Sequence, residues 1–546
     1  MNLTLQKILI SLSFCCLTSG VLASLAPQHL VFTYMGDPST TLTANWQLIG
    51  EDQSVDDAVV YYDTVSHAGK VSEYAQHTHG DVFTIKGLPD RSIARVQLTD
   101  LKPNTSYYIV VGHGDGSFAD EVKVRTIPAD DRPLRFVTGG DMGTTEDVRV
   151  LLKNAATFDP SFAAIGGDIA YANGKLGSVG EWDKWLTYYT EEMVTADGHT
   201  IPMLLAIGNH EVKGAYNKTP EEAPFFFGFF GQDPDKSYFA RRFGQNLLLL
   251  VLDSGHVAKH ESQVEWIGKV LEQHESTPHT SAIYHVPLYP SHRDFMWRFS
   301  EQGRQHWAPI FDQYGLTVAF ENHDHTFKRS HFIKDGKVVD EGEGTLYIGD
   351  GCWGRGVRPI DYELPWYLKT AGSIQHFWVV DCDADSMMYR AVDIENQVFD
   401  VFPDSAPGAK EAREAFAAKS HIYKLPQGIV SCTAIIDDGA AWKGSDVTVT
   451  LKNTFEHPVT LELQTKIRGA AVQAIGLPVE ALSLQPGESQ QFKVSWAPAD
   501  EKVIKLKRVK LGFEVSLELH HPDYETPVRY SGGPDITIKP SKASSM

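Results

Sequence analysis

The sequence predicts an α/β protein: a layered β-sandwich domain flanked by helices, with an all-β sandwich domain before it and another after it. Three observations carry that prediction. Residues 27–127 and 428–538 alternate apolar and polar side chains in steps of two, the pattern of half-buried strands. Between them, short apolar runs alternate with stretches of helical spacing, the pattern of βαβ units. At 546 residues the chain exceeds what one hydrophobic core serves, so several domains are required.

The chain opens with MNLTLQKILISLSFCCLTSGVLASLA, one lysine before the apolar stretch 8–17 and then small residues. Val21-Leu22-Ala23 suits a signal peptidase, so residues 1–23 are expected to be a signal peptide and the product to be secreted or periplasmic. Neither that stretch nor the later run 247–252 is long enough to cross a bilayer, so no membrane span is expected. With 42% apolar and 22% charged residues the composition is that of a folded globular protein, not a disordered one. A formal charge of -21 argues against duplex nucleic acid or an anionic membrane as partner. It leaves an anionic substrate open, because a metal ion inverts the local potential. Past the leader, Cys352, Cys382 and Cys432 remain, enough for one disulfide with one thiol left over.

Residues 24–127 form the first predicted domain. Segments 42–46, 58–62 and 96–101 alternate, and turn residues separate them. Trp46 and Tyr107 are candidate core residues. The segment LTDLKPNTSYYIVVG, 98–112, resembles the last part of a fibronectin type III domain. Residues 127–133, rich in Pro and Asp, read as a linker.

The second predicted domain spans 133–403. Strand 134–138 runs into Gly-Gly-Asp141, a helix follows over 145–156, and strand 161–165 again runs into Gly-Gly-Asp168. Further strands are expected at 202–207, 246–252, 281–284, 316–320, 345–348 and 376–380, and a helix at 260–274. Loops are expected around 174–200 and 286–305, where substrate would be selected. A connecting helix over 408–419 leads to the third predicted domain, 425–540.

Each strand end of the middle domain presents residues suited to binding metal. In order they are Asp141 in GGDMG, Asp168 and Tyr171 in GGDIAY, Asn209 and His210 in IGNHE, His285 in IYHVPLY, and His323 and His325 in ENHDH. Taken singly, an Asp at a strand end is usually a cap or turn former, and a buried His usually a hydrogen-bonding residue. Taken together at the ends of neighbouring strands, where α/β folds gather ligands, they make a donor set for hard or borderline cations.

This series of five motifs resembles that of the calcineurin-like metallophosphoesterases. Gly-Asp-x-x-Tyr and the preceding fibronectin-like domain are similar to those of the purple acid phosphatases. The resemblance covers residues 26–400. It implies a dinuclear centre in which Asp141, Tyr171 and His325 hold ferric iron. Asn209, His285 and His323 would hold a divalent zinc, iron or manganese, and Asp168 would bridge the two. It implies an enzyme that hydrolyses phosphate monoesters, with His210 near a phosphorylated small-molecule substrate. His292 in LYPSHRDF is the candidate general acid, and Arg293 a candidate for holding a phosphate oxygen. A phenol ionises near pH 10 unaided, and an adjacent trivalent ion would displace its proton.

Three positions depart from the family pattern. Asn322 stands where a Gly usually precedes His-x-His, Thr326-Phe327-Lys328-Arg329 replaces a common Ala-Tyr-Glu-Arg, and Glu211 replaces an aspartate. The metal ligands survive all three. The loop 349–359, GDGCWGRGVRP, is expected near the site without a definite role. Two other readings compete with the monoesterase: a phosphodiesterase or nucleotidase using the same centre, and a non-catalytic adhesion or scaffold protein. Oligomeric state is not legible.

Overall fold

The computed structural model describes residues 26–50, 57–113, 116–233, 235–432, 435–438, 442, 444–468, 472–499, 509–524 and 526–540. The expected signal peptide lies outside the described residues. Among the described residues no helix is long and apolar enough to cross a membrane.

Seven strands, from Gln28–Thr33 to Val122–Arg125, form one hydrogen-bonded path. On the strand Leu42–Ile49, Leu42, Ala44, Trp46 and Leu48 enter the core as the alternation predicts. Its other face is not solvated: Thr43, Asn45 and Gln47 are buried too. The central part of the chain covers them through hydrogen bonds. Asn45 Oδ1 accepts from Gly231 N at 3.0 Å and from Arg95 Nε at 2.8 Å. Arg91 Nη1 reaches Gln47 Oε1 at 2.8 Å and Asp183 Oδ1 at 2.5 Å. Polar groups withdrawn from water need such partners, so this contact is specific rather than greasy.

Two sheets stack face to face in the middle of the chain. The first is six-stranded: Met203–Leu205, Phe162–Ile165 and Leu134–Gly139 run parallel, followed by His376–Cys382, Met387–Asp393 and Val398–Phe402. In the second, Leu247–Val251, His279–Ile283, Val318–Phe320 and Thr345–Gly349 are parallel neighbours, with antiparallel strands outside them. Strand side chains alternate between faces, and here both faces are covered. Phe136, Phe162, Leu249 and Phe320 meet in the core between the sheets, and the Phe162 ring stacks on Phe243. Val137 and Ile165 face the helices Glu146–Ala156 and Val179–Glu192. Leu248 and Leu250 face His260–Gln273 and Ala308–Tyr314. This is why LLLLV is apolar at every position.

The segment 174–200, expected as a loop, is largely the helix Val179–Glu192. Its Trp182, Trp185, Leu186 and Tyr189 recur at helical spacing and are buried. Within 286–305, Arg298–His306 is likewise helical. All three expected cysteines carry free thiols, so the disulfide the sequence permitted is not formed among the described residues.

After the helix Ala409–Ala417, the remaining strands form a five-stranded and a four-stranded sheet around Trp496, Phe513 and Val515, and a two-stranded pair of Ile435–Asp438 with Thr537–Pro540. The strand Ile422–Lys424 edges the larger of these sheets. It also grips the middle of the chain: Ile360 N donates to Ile422 O at 2.9 Å and Lys424 N to Ile360 O at 2.7 Å.

Candidate metal centre

Parallel strands deliver their C-terminal ends to one edge of the double sheet, and the candidate residues sit in the turns that leave those ends. Asp141, Asp168, Tyr171, His323 and His325 all have left-handed backbone, with φ of 54°, 53°, 59°, 80° and 55°. Left-handed backbone is uncommon for residues with a Cβ and concentrates where side chains are aimed for function. Two glycines make room. A Cβ on Gly351 would collide with the Asp141 carboxylate, and one on Gly166 with the Asn322 amide. Asn322 thus fills the space beside the Gly-Gly turns, fixed by its Nδ2 donating to Tyr284 O at 2.9 Å.

The donors form two groups. Tyr171 Oη lies 3.3 Å from Asp141 Oδ1 and 3.1 Å from His325 Nε2, and that nitrogen is 2.9 Å from Asp141 Oδ1. In the second group, His285 Nε2 lies 3.2 Å from Asn209 Oδ1, 2.9 Å from His323 Nδ1 and 3.1 Å from Asp168 Oδ2. One ligand atom each from Asp141, Asp168, His285 and His323 falls within 4.8 Å of the others. All seven residues singled out as metal ligands are therefore brought together.

Hydrogen bonds on the far side of each donor fix which atom faces inward. Gly166 O, at 2.9 Å, accepts from His285 Nδ1 and turns Nε2 to the centre. Gly356 O, at 3.2 Å, does the same for His325. Asp141 Oδ2 accepts from His323 N at 2.6 Å, leaving Oδ1 for the centre. Asp168 Oδ1 accepts from His210 N at 2.7 Å, while Oδ2 is buried with no hydrogen-bond partner. Lone pairs from imidazoles, carboxylates and a carboxamide converge at ligand-to-ligand spacing, and one carboxylate oxygen is orphaned. That arrangement fits cations.

The electrostatics agree. Burial, followed by the Asp141 and Asp168 charges, holds the Tyr171 phenol well above its ordinary value, so only a cation would ionise it. Burial opposes charge on His285, but Asp168 and Asp141 prevail and raise it to about 9. Burial would also raise Asp168, yet the adjacent His285 keeps it below the usual carboxylate range. A proton held by His285 is what a cation would displace.

His210 borders this cluster. Its Nδ1 donates to Asn173 Oδ1 at 2.6 Å, and the Asn173 amide is itself oriented by donating to Tyr171 O at 2.9 Å. His210 Nε2 is thereby turned toward Asp168 Oδ2, 3.8 Å away. His292 is not brought into the cluster. The backbone N–H groups of residues 291–293 wrap the Asp324 carboxylate, and His292 Nδ1 donates to Pro359 O at 2.7 Å. Arg293 pairs with Asp324 and donates to His323 O at 2.6 Å.

Several neighbours were given no role by sequence reasoning. Buried Glu211 accepts three backbone N–H groups, from Gly208 at 2.8 Å, Asp168 at 2.7 Å and Ile169 at 2.8 Å. It clamps two strand-end turns together, and burial with the Asp168 charge raises its pKa to about 7. Trp297 stacks on His323 at 5.3 Å, and Tyr216 Oη lies 3.4 Å from His323 Nε2. Arg355 and Arg358, on the loop after Gly349, reach the site as well.

Comparison with known proteins bears on this geometry. Residues 27–126 match the family described as Purple acid Phosphatase, N-terminal domain. Purple acid phosphatase 15 of Arabidopsis thaliana is 26% identical over 289 residues, covering 47% of this chain and 53% of that protein. Purple acid phosphatase 1 of Ipomoea batatas is 25% identical over 329 residues, covering 57% of this chain and 66% of that protein. The chain thus spans between half and two thirds of the length of these relatives. In fold, it is similar to the purple acid phosphatase PPD1 from yellow lupin (Lupinus luteus) seeds, with a TM-score of 0.58 at 17% identity over 69% of this chain and 74% of that one. It is also similar to PhoD, with a TM-score of 0.53 at 12% identity over 69% of this chain and 89% of that one. The chain thus matches the purple acid phosphatases in its N-terminal domain and is similar to one of them in fold.

Proposed function

We propose that the chain is a metal-dependent phosphoesterase that hydrolyses phosphate monoesters, exported to the periplasm or beyond the cell. The observation that carries this reading is the donor set itself: seven side chains from five strand ends, their donor atoms gathered at ligand-to-ligand spacing. Asp141, Tyr171 and His325 would hold a ferric ion, Asn209, His285 and His323 a divalent zinc, iron or manganese, and Asp168 would bridge them. Such a pair of ions supplies an acidified water and neutralises phosphate oxygens as charge builds.

The chain's own residues do the rest. Glu211 and the His323 backbone N–H fix the carboxylates, so the donors need not reorganise during turnover. His210, held as the Nδ1-protonated tautomer by Asn173, keeps Nε2 available at the edge of the centre. Once protonated there, it donates to the departing alkoxide. Of the two histidine candidates for that role, the geometry favours His210, because its free Nε2 faces the centre, 3.8 Å from Asp168 Oδ2. His292 instead anchors the loop that carries Arg358.

Phenyl phosphate, bis-aryl phosphate and nucleotides, tested side by side on the metal-loaded protein, check the reading. Hydrolysis of phenyl phosphate that disappears in Asp168→Ala supports it. Undiminished hydrolysis in that variant overturns it, preferential cleavage of the bis-aryl ester moves it to a phosphodiesterase, and metal-free, inert protein returns it to a scaffold.

A further inference from the structure

The loop after Gly349 brings to the site two guanidinium groups that make no ion pair among the described residues. Arg358 Nη1 donates to His323 O at 2.9 Å, the same oxygen that accepts from Arg293 Nη1 at 2.6 Å. Arg293 is charge-paired with Asp324. Among the described residues neither Arg358 nor Arg355 has an ion-pair partner within 4.0 Å. The Arg355 guanidinium rests 4.1 Å from the Tyr171 ring centroid. The carboxylates that act on Arg358 are Asp141, committed to the centre, and Asp324, committed to Arg293.

The loop is tied down along its length. Arg355 N donates to Asp141 O at 3.1 Å, His325 Nδ1 to Gly356 O at 3.2 Å, and Arg358 N to His325 O at 3.0 Å. His292 then holds Pro359 O, Ser373 Oγ donates to Arg358 O at 2.8 Å, and Ile360 bridges to Tyr423. Arg358 stands against the like charge of Arg293, which shares the His323 carbonyl with it, and such charges repel one another unless an anion joins them. A planar guanidinium suits the oxygens of a phosphoryl group in particular.

Resting on the phosphoesterase reading, we propose that Arg355 and Arg358 form a second anion subsite beside the metal centre. It selects substrates that carry a second phosphoryl group next to the one cleaved, such as a phosphoanhydride or an ester with a neighbouring phosphate. The C-terminal strands, through Ile360 and Tyr423, hold this subsite in place.

Calorimetric binding of methylenediphosphonate and of phenylphosphonate to the metal-loaded protein tests this without turnover. Arg358→Ala and Arg355→Ala should each weaken methylenediphosphonate by about tenfold or more and phenylphosphonate by less than about threefold. Arg358→Lys should recover part of the loss, since charge returns without the planar fork. Equal weakening of both ligands would put the arginines on the cleaved phosphoryl group and overturn the proposal, as would no weakening of either. If Arg358→Ala melts early, Arg355→Ala decides alone, because its side chain makes no hydrogen bond among the described residues. Wild-type protein inert toward phenyl phosphate would sink the enzymatic reading instead, while the binding comparison would still decide the subsite.

Discussion

The phenolic oxygen of Tyr171 lies 3.1 Å from Nε2 of His325, 154 positions away in sequence. Both residues have left-handed backbone, so two separate turns are bent to bring these atoms together. Burial keeps the phenol protonated unless a cation takes the proton's place. Tyr171→Phe should therefore abolish the visible absorption band of the iron-loaded protein and weaken iron binding by at least about 10–100-fold. Metal titration followed by absorbance checks it; an unchanged spectrum would remove Tyr171 from the centre.

Glu211 joins three backbone N–H groups from two turns, and no water can replace it at zero exposure. Glu211→Ala strands those donors, each at about 1–3 kcal/mol, and lets Asp168 drift. We expect a lower urea midpoint and a kcat reduced by roughly 100-fold, the cost of misplacing a reacting group by an ångström. Glu211→Gln keeps one acceptor oxygen and should fall in between. A full-rate Glu211→Ala enzyme would show that the turns hold Asp168 unaided.

The clustering of the candidate donors was legible because each is a reactive residue type at a predicted strand end, and strand ends share one edge. Less legible were residues whose meaning depends on what lies across from them. Thr43, Asn45 and Gln47 alternate with apolar residues as if solvated, yet they are buried against the middle of the chain. Nothing local in the sequence announces that contact. Helix Val179–Glu192 was hidden for another reason: its apolar period is plain, but the segment was expected only as a loop that selects substrate. The orientation of His292 was not legible because spacing cannot say which way a ring turns, and the Asp324 carboxylate gathers the backbone of residues 291–293 while His292 Nδ1 meets Pro359 O.

Lys328, a departure from the family pattern, acquires a reason. Its ammonium is fully buried, donates to Glu321 Oε2 and Tyr289 O at 2.5 Å each, and lies 3.1 Å from Asp350. Burial alone would lower its pKa, but Asp350 and Glu321 raise it instead. Lys328→Met leaves two buried carboxylates without a cation and should destabilise the fold by about 3–5 kcal/mol. Adding Glu321→Gln should restore part of that loss, because the charge left stranded is removed. Denaturant unfolding of the four species of this cycle measures the coupling; strictly additive losses would mean the pair is not held as described.

His260 is one of the groups that make the fold sensitive to acid. It packs against Trp307, 4.4 Å between ring centroids, and both ring nitrogens are buried without hydrogen-bond partners. Burial lowers its pKa from 6.5 to about 3, with the charge of His306 adding to the effect. The folded pKa lies below the unfolded one, so between them the unfolded chain binds the proton and the folded chain does not. Stability is therefore intact above pH 6.5 and is lost as pH falls toward 3, by about 1.4 kcal/mol per unit. His260→Phe keeps an aromatic ring beside Trp307 and removes the titration. Its unfolding free energy should lie close to that of the native sequence at neutral pH and exceed it by roughly 2–3 kcal/mol two pH units below the unfolded pKa. Parallel stability curves for the two proteins between neutral and acid pH would mean that His260 stays accessible to protons in the folded state.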